Sequence, residues 1–129
     1  MARQISPLPT EGELEILRVL WSRGPSTVRE VFRTLNQTRE TGYTTVLKLM
    51  QIMTEKGLLR PDRSVRPQIF VPAQSKQQTQ RRLVRHLVDR AFSGSAGNLV
   101  LQALSAKKAS PEELQEIRRL LDRLEGEAQ

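Results

Sequence analysis

No cysteine occurs among the 129 residues. That removes disulfides, thiol redox sensing, a nucleophilic cysteine and zinc-finger chemistry together. Histidine occurs once, as His86. A lone imidazole without a cysteine or an acidic cluster beside it is a poor metal site; it reads as a half-exposed helix residue. The chain has no G-x-S-x-G and no phosphate-cradling glycine loop. Ser93-Gly94-Ser95-Ala96-Gly97 is glycine-rich but follows a helical stretch, so a corner between helices explains it better. No apolar run approaches the roughly 18 residues needed to cross a bilayer. The N-terminus MARQISPLPT lacks the basic-then-apolar design of a leader. These absences leave no candidate catalytic residue, metal or cofactor. They predict a protein that is not an enzyme, does not insert into a membrane and resides in the cytoplasm.

What is present is positive charge. The net charge is +7, which favours an anionic partner, mainly nucleic acid or an acidic membrane face. The excess is spread along the chain, with 11 Lys/Arg against 7 Asp/Glu in residues 1–75 and 10 against 7 in residues 76–129. No block of five like charges marks a disordered tail.

The most informative stretch is Thr41 to Leu59, TGYTTVLKLMQIMTEKGLL. Val46, Leu49, Met50 and Met53 stand at i, i+3, i+4 and i+7, one stripe of a helix. Thr41 is read as its N-cap and Gly57 as its C-cap. Tyr43, Thr44, Thr45, Lys48 and Gln51 fall off the stripe. Hydroxyls, an amide and a cation suit phosphates and base edges in a major groove, although a merely solvated face has the same composition. Leu47 also falls on the exposed side, where it meets either thymine methyls or the residues that follow.

Before this helix, residues 1–9 read as an arm. Thr10 with Glu13, and Thr27 with Glu30, make capping boxes. Leu14, Leu17, Leu20 and Trp21 carry a first helix, stopped by Gly24-Pro25; Val28, Val31, Phe32 and Leu35 carry a second. Ser26, Thr27 and Arg29 open that second helix, whose N-terminal amides attract a phosphate. After Gly57 the period changes. Leu58-Leu59-Arg60 and Gln68-Ile69-Phe70-Val71 read as two strands around a polar turn, decorated by Arg60, Arg63 and Arg66. Three helices and a two-stranded ribbon give a winged helix-turn-helix over residues 1–74, mainly α with a small β-hairpin wing.

Pro72 to Ser75 reads as a hinge. A helical region of three helices follows over residues 75–129. Its stripes are Val84, Leu87, Val88 and Ala91; then Leu99, Val100, Ala103 and Leu104; then Leu114, Ile117, Leu120, Leu121 and Leu124. Ser110-Pro111-Glu112-Glu113 starts the last helix with N-cap, proline at N1 and acid at N3. A unit this small rarely buries enough apolar area alone. Burial against a second copy is one solution, folding back on the winged helix the other. Leu87, Phe92, Leu99, Val100, Leu114, Ile117 and Leu121 are the expected dimer contacts.

Leu20-Trp21, Thr27-Val28-Arg29-Glu30-Val31, Tyr43-Thr44-Thr45-Val46 and Lys56-Gly57-Leu58-Leu59 resemble, in order and spacing, the penicillinase-repressor family (BlaI/MecI, with the copper-responsive CopY repressors as relatives). Arg66, Phe70 and Pro72 match its wing exit, with Phe where Tyr is usual. Asp89-Arg90, Phe92, Gly94-Ser95 and Leu99-Val100 match the start of its second part, and Ser110 to Leu121 its last helix. The resemblance implies a homodimeric transcriptional repressor on a palindromic DNA operator. It carries contacts over to Thr44, Thr45 and Lys48, and more loosely to Arg29 and the wing arginines. It also implies a regulatory protease or membrane sensor as a possible partner. Three departures qualify it. Ile52 stands where the family usually has arginine. Gln102-Ala103 replaces the Asn-Phe bond whose cleavage releases the antibiotic-responsive members. The C-terminal cysteines of the copper-responsive members are missing. A winged-helix protein adaptor and a nonspecific architectural DNA binder are the rival readings.

Overall fold

A computed structural model describes residues 7–128; most of the expected N-terminal arm lies outside them. Six helices and one hairpin follow in the order α1 (Glu11–Arg23), α2 (Val28–Asn36), α3 (Tyr43–Glu55), β1 (Leu59–Asp62), β2 (Ile69–Pro72), α4 (Lys76–Ala91), α5 (Ala96–Ala106) and α6 (Pro111–Glu127). This is a winged helix followed by a helical region. The chain divides into two compact units, with the boundary inside α4 between Val84 and Arg85.

In the first unit, α1, α2 and α3 bury one stripe each around Ile16, Leu17, Leu20, Val31, Val46, Met50 and Met53, and the hairpin closes the core with Leu59 and Phe70. The helix starts follow from side-chain chemistry. Thr10 accepts from the Glu13 N–H and Glu13 returns a bond to the Thr10 N–H; Thr27 and Glu30 repeat the arrangement, as do Ser110 and Glu113 in α6. Each such box satisfies two backbone donors that the helix itself leaves open. Pro9, at the end of the expected arm, is buried.

The end of α3 is set by Gly57, whose φ of 82° is in the left-handed region. The Leu58 N–H donates to the Met53 carbonyl at 2.8 Å and the Gly57 N–H to the Thr54 carbonyl at 3.1 Å. That pair of bonds is the Schellman closure, which needs a left-handed residue between the helix and the outgoing chain. The strand that leaves it is longer than the sequence suggests. Pro61 and Asp62 belong to β1, paired with Phe70 and Ile69. A hairpin of two strands leaves each with an unpaired edge, where a proline without an N–H costs nothing. Pro72 likewise ends β2 instead of opening a hinge, and α4 begins directly after Ser75, which accepts from the Gln78 N–H. Ser26 adds a bridge to Phe70 through both backbone bonds, at 3.3 and 2.8 Å, so a third short segment joins the wing.

The second unit is built differently. A corner at Ser93 and Gly94, both with positive φ, turns α4 into α5, and Ser95 caps α5 by accepting from the Asn98 N–H. None of residues 85–128 is buried. Leu101 is 69% exposed and Leu121 51%. Among the described residues, no helix is long and apolar enough to cross a membrane.

One polar contact crosses the first core. Glu13, 1% exposed, accepts from Lys56 Nζ at 2.8 Å and from the Thr10 N–H at 2.9 Å. Burial pushes the carboxyl up. The Lys56 hydrogen bond, the Thr10 N–H and the Lys56 charge outweigh it and hold the group below its ordinary 4.5. A depressed carboxylate stabilises the fold above its unfolded pKa, and this contribution is lost as pH falls through the folded value. Thermal melts should therefore show stability declining below pH 4.5 in the wild type. Glu13→Ala should lower stability by about 2 kcal/mol at neutral pH, the combined cost of a lost cap and a stranded, partly exposed ammonium. A neutral-pH melt unchanged in Glu13→Ala would contradict this.

Candidate nucleic-acid interface

The buried stripe of α3 is Val46, Met50 and Met53, with Tyr43, Leu47 and Leu49 packed along its margins. Thr44, Thr45, Lys48 and Gln51 are exposed on the other side. The sequence thus indicates the polar face correctly but misplaces two neighbours. Leu47 does not project into solvent; it packs against the core. Tyr43 is half-buried, its ring edge-on to Phe32 with centroids 5.7 Å apart. The stripe is centred closer to Tyr43 and Leu47 than the Leu49-based pattern implies.

Tyr43 nonetheless serves the exposed side indirectly. The Arg29 guanidinium lies over its ring, 4.7 Å from the centroid. Phe32 and Arg29 come from α2 at i and i+3, so α2 presents both to the first residue of α3. A cation over a ring at a partly exposed site is worth about 0.5–1 kcal/mol, a bias of about two- to fivefold towards this placement of the side chain. The arginine keeps its N–H groups for an anion.

The start of α3 differs from the other five helices. Thr10, Thr27, Ser75, Ser95 and Ser110 each accept from the N–H three residues on. The N-cap of α3 is Gly42, with no side-chain bond, and its first turn holds no acid. Thr41 is not the cap: its N–H donates to Asn36 Oδ1 at 3.0 Å, which ties it into the preceding turn. The α3 amides near Thr44 and Thr45 are therefore not covered by the protein's own side chains.

The reverse holds at α2. Ser26 is fully buried, donates to the Gly24 carbonyl and accepts from Arg23 Nε. The Glu30 carboxylate occupies the Thr27 N–H at 2.9 Å and pairs with Arg23 at 3.1 Å. The Thr27 N–H and hydroxyl hold that carboxyl below its ordinary value, helped by Arg23. A phosphate at the α2 N-terminus would meet this negative charge, so the expected anion site there is not open.

The wing arginines divide. Arg60 is exposed but donates to the Ala73 carbonyl at 3.0 Å, a tie within the hairpin. Arg63 and Arg66 are exposed and have no ion pair among the described residues. In the second unit, Leu87, Val100 and Leu121 are exposed, while Phe92, Leu99, Leu114 and Ile117 are half-buried. The Ser26–Phe70 bridge has no counterpart in the sequence reading, because a single bridge is too short to leave a period.

Fold and surface together define a winged helix whose third helix starts without a side-chain cap and without an acid in its first turn. The chain belongs to the penicillinase repressor family, which it matches over residues 9–123. It is similar to the penicillinase repressor of Bacillus licheniformis, with 22% identity over 116 residues covering 90% of this chain and 91% of that protein. It is also similar to the transcriptional regulator BlaI of Mycobacterium tuberculosis H37Rv, with 34% identity over 70 residues, 52% of this chain and 51% of that one.

Two substitutions test the geometry. Tyr43→Leu should weaken duplex binding about three- to fivefold, because a cation–π contact of this size no longer holds Arg29; Tyr43→Phe should not, since the ring remains. Gly42→Asp should raise the melting temperature slightly, the gain from Gly to an acidic cap being a few tenths of a kcal/mol. It should reduce duplex affinity by placing a carboxylate at the free amides. Equal binding of Gly42→Asp and wild type would show that those amides meet no phosphate.

Proposed function

We propose that the protein is a DNA-binding transcriptional repressor that acts as a homodimer on a palindromic operator. The observation that carries this reading is the exposed strip Thr44, Thr45, Lys48 and Gln51 on a helix whose opposite side is core. An α-helix fits a major groove about 12 Å wide. Hydroxyls and an amide can exchange hydrogen bonds with base edges, while Lys48 and Arg29 reach phosphates. Tyr43 flanks this strip, and Arg60, Arg63 and Arg66 line the ribbon beside it. The names of the relatives support a repressor: one is a penicillinase repressor, the other a transcriptional regulator.

The dimer reading rests on the second unit. A helical unit in which none of residues 85–128 is buried, yet with Leu87, Val100, Leu101, Leu120, Leu121 and Leu124 exposed, lacks the burial that stabilises an independent fold. Exposed apolar area on this scale marks an association surface. A second copy supplies an identical face, and two-fold pairing is the commonest closed solution. Two half-sites then lie a whole number of helical turns apart, about 34–36 Å per turn. Once one reading unit is seated, the other binds at high effective concentration, so pairing and affinity are coupled. Release follows from anything that opens the pairing, whether a protease, a sensor protein or a ligand. The Gln102-Ala103 pair argues against the release cut of the antibiotic-responsive members. A cytoplasmic location agrees with a DNA partner.

The decisive experiment is selection of duplexes from a randomised pool by the full-length protein, followed by fluorescence anisotropy. A repressor should prefer its selected duplex about a thousandfold or more over random DNA. Lys48→Ala should reduce the slope of log K against log salt by about one, the signature of one lost phosphate contact. Uniform affinity for every duplex would leave an architectural binder, and no duplex binding at all a protein adaptor.

Leu121→Asp should shift sedimentation from dimer to monomer and lower operator affinity by about a hundredfold. The fluorescence of the single tryptophan, Trp21 in α1, should stay unchanged, showing that the reading unit is still folded. A variant that remains dimeric with full affinity would contradict the coupling.

A further inference from the structure

The first unit holds a cavity of about 850 Å³ that the DNA-binding strip does not use: none of Arg29, Thr44, Thr45, Lys48 or Gln51 lines it. Its wall comes from three helices. α1 contributes Glu15, Arg18, Val19 and Ser22, which stand at i, i+3, i+4 and i+7 and so share one face. The start of α4 contributes Lys76, Gln80 and Leu83, again one face, and Leu35 and Thr38 come from the end of α2 and the turn after it. Val19 and Leu35 are buried and Leu14, Trp21 and Leu83 half-buried, so much of the lining is apolar.

The charges in this wall do not cancel. Glu15 is its one acid, and Arg39 donates to both oxygens of that carboxylate at 3.0 Å. Arg18 and Lys76 have no ion pair or hydrogen bond among the described residues. Trp21 adds an independent sign. Its Nε1 is buried without a hydrogen-bond partner among the described residues. An indole N–H is a donor only, and a buried donor without an acceptor is costly. The wall therefore offers apolar surface, two uncompensated cations and one orphaned donor.

We propose that this cavity binds a small organic carboxylate with a flat apolar ring body. Pockets of about 300–1,000 Å³ hold such ligands mainly by apolar contact, with a few polar groups fixing the orientation. Here the ring body lies against Trp21 and Leu83, and the carboxylate pairs with Arg18 and Lys76. Arginine suits that role because its planar fork takes a carboxylate through two parallel hydrogen bonds. Inorganic phosphate would leave the apolar lining unused, and a neutral hydrocarbon would leave both cations unpaired. An amphipathic acid uses both. The site is independent of the DNA-binding reading, since its lining shares no residue with the strip on α3.

The test is calorimetric titration of the full-length protein with naphthoate and with naphthamide, its uncharged counterpart. Naphthoate should saturate at one molecule per chain, and naphthamide should bind about tenfold or more weakly, the scale of hydrogen bonds to a charged group. Emission from Trp21, the only tryptophan, should be quenched over the same naphthoate range. Arg18→Gln and Lys76→Gln should each weaken naphthoate about tenfold while leaving naphthamide unchanged, which a merely unfolded variant would not do. Trp21→Phe keeps a ring but lacks the N–H, and should weaken naphthoate about threefold. Lys48→Ala removes a cation of the DNA-binding strip and should bind naphthoate as the wild type does. Absence of saturable binding overturns the proposal, as does equal affinity for the acid and the amide. Wild-type affinity in both Arg18→Gln and Lys76→Gln overturns it too. So does a loss in Lys48→Ala, which would show the acid held on the DNA-binding surface instead. Selection of a preferred duplex from the randomised pool is unaffected by any of these outcomes, so the repressor reading stands or falls separately.

Discussion

The ion pair between Glu13 and Lys56 is the contact on which the geometry of the reading unit turns. Glu13 closes the first turn of α1 and accepts from a lysine at the end of α3, so one carboxylate locates the start of one helix against the finish of another. Pairs of this kind add little net stability relative to apolar packing, since desolvation offsets attraction. Their effect is directional. Apolar packing by Met50 and Met53 would tolerate some sliding of α3 along its axis, whereas a hydrogen bond of 2.8 Å tolerates little. With axial position and roll both fixed, Thr44, Thr45, Lys48 and Gln51 face outward, and the wing starts from a defined point.

The two units solve the burial problem in opposite ways. The first has a closed core, helped by the Ser26–Phe70 bridge that fastens the wing to the segment before α2. The second has well-capped helices and no interior. Capping boxes and a proline at N1 make α6 a good helix, but helix propensity does not require that a helix bury its leucines within one chain. Local order combined with unsatisfied apolar area is what an association element needs. It is pre-formed, so little ordering entropy would oppose the proposed pairing.

Much of this was legible in the sequence. Three capping boxes placed helix starts to the residue, because Thr or Ser followed by Glu at N3 is a local pattern whose hydrogen bonds involve only neighbours. Gly57 marked the end of α3 for the same reason. The apolar spacing marks most of the core of α2 and α3 but half that of α1, where Ile16 and Val19 are buried and Leu14 and Trp21 only partly so; the change of period after Gly57 marks the wing. The misreadings come from partners that apolar spacing does not name. Thr41 has the chemistry of a cap, but Asn36 claims its N–H. Tyr43 was set on the polar side for its hydroxyl, although its ring belongs with Phe32 and Arg29. Glu30 closes the α2 N-terminus that looked open to an anion. Pro61 and Asp62 look like turn residues and are strand, since an edge without partners accepts them.

Gly57 is not among the residues assigned to a partner, yet it stands between the helix and the ribbon proposed to serve one. Its φ of 82° suits a residue without a side chain. A bulkier residue would strain the corner, so the helix would either unwind at Met53 or send the ribbon off along another path. Loss of function at that corner would mimic the loss of a contact residue while every contact residue remained in place. A mutational map of the reading surface would therefore show one sensitive position that no footprint could explain.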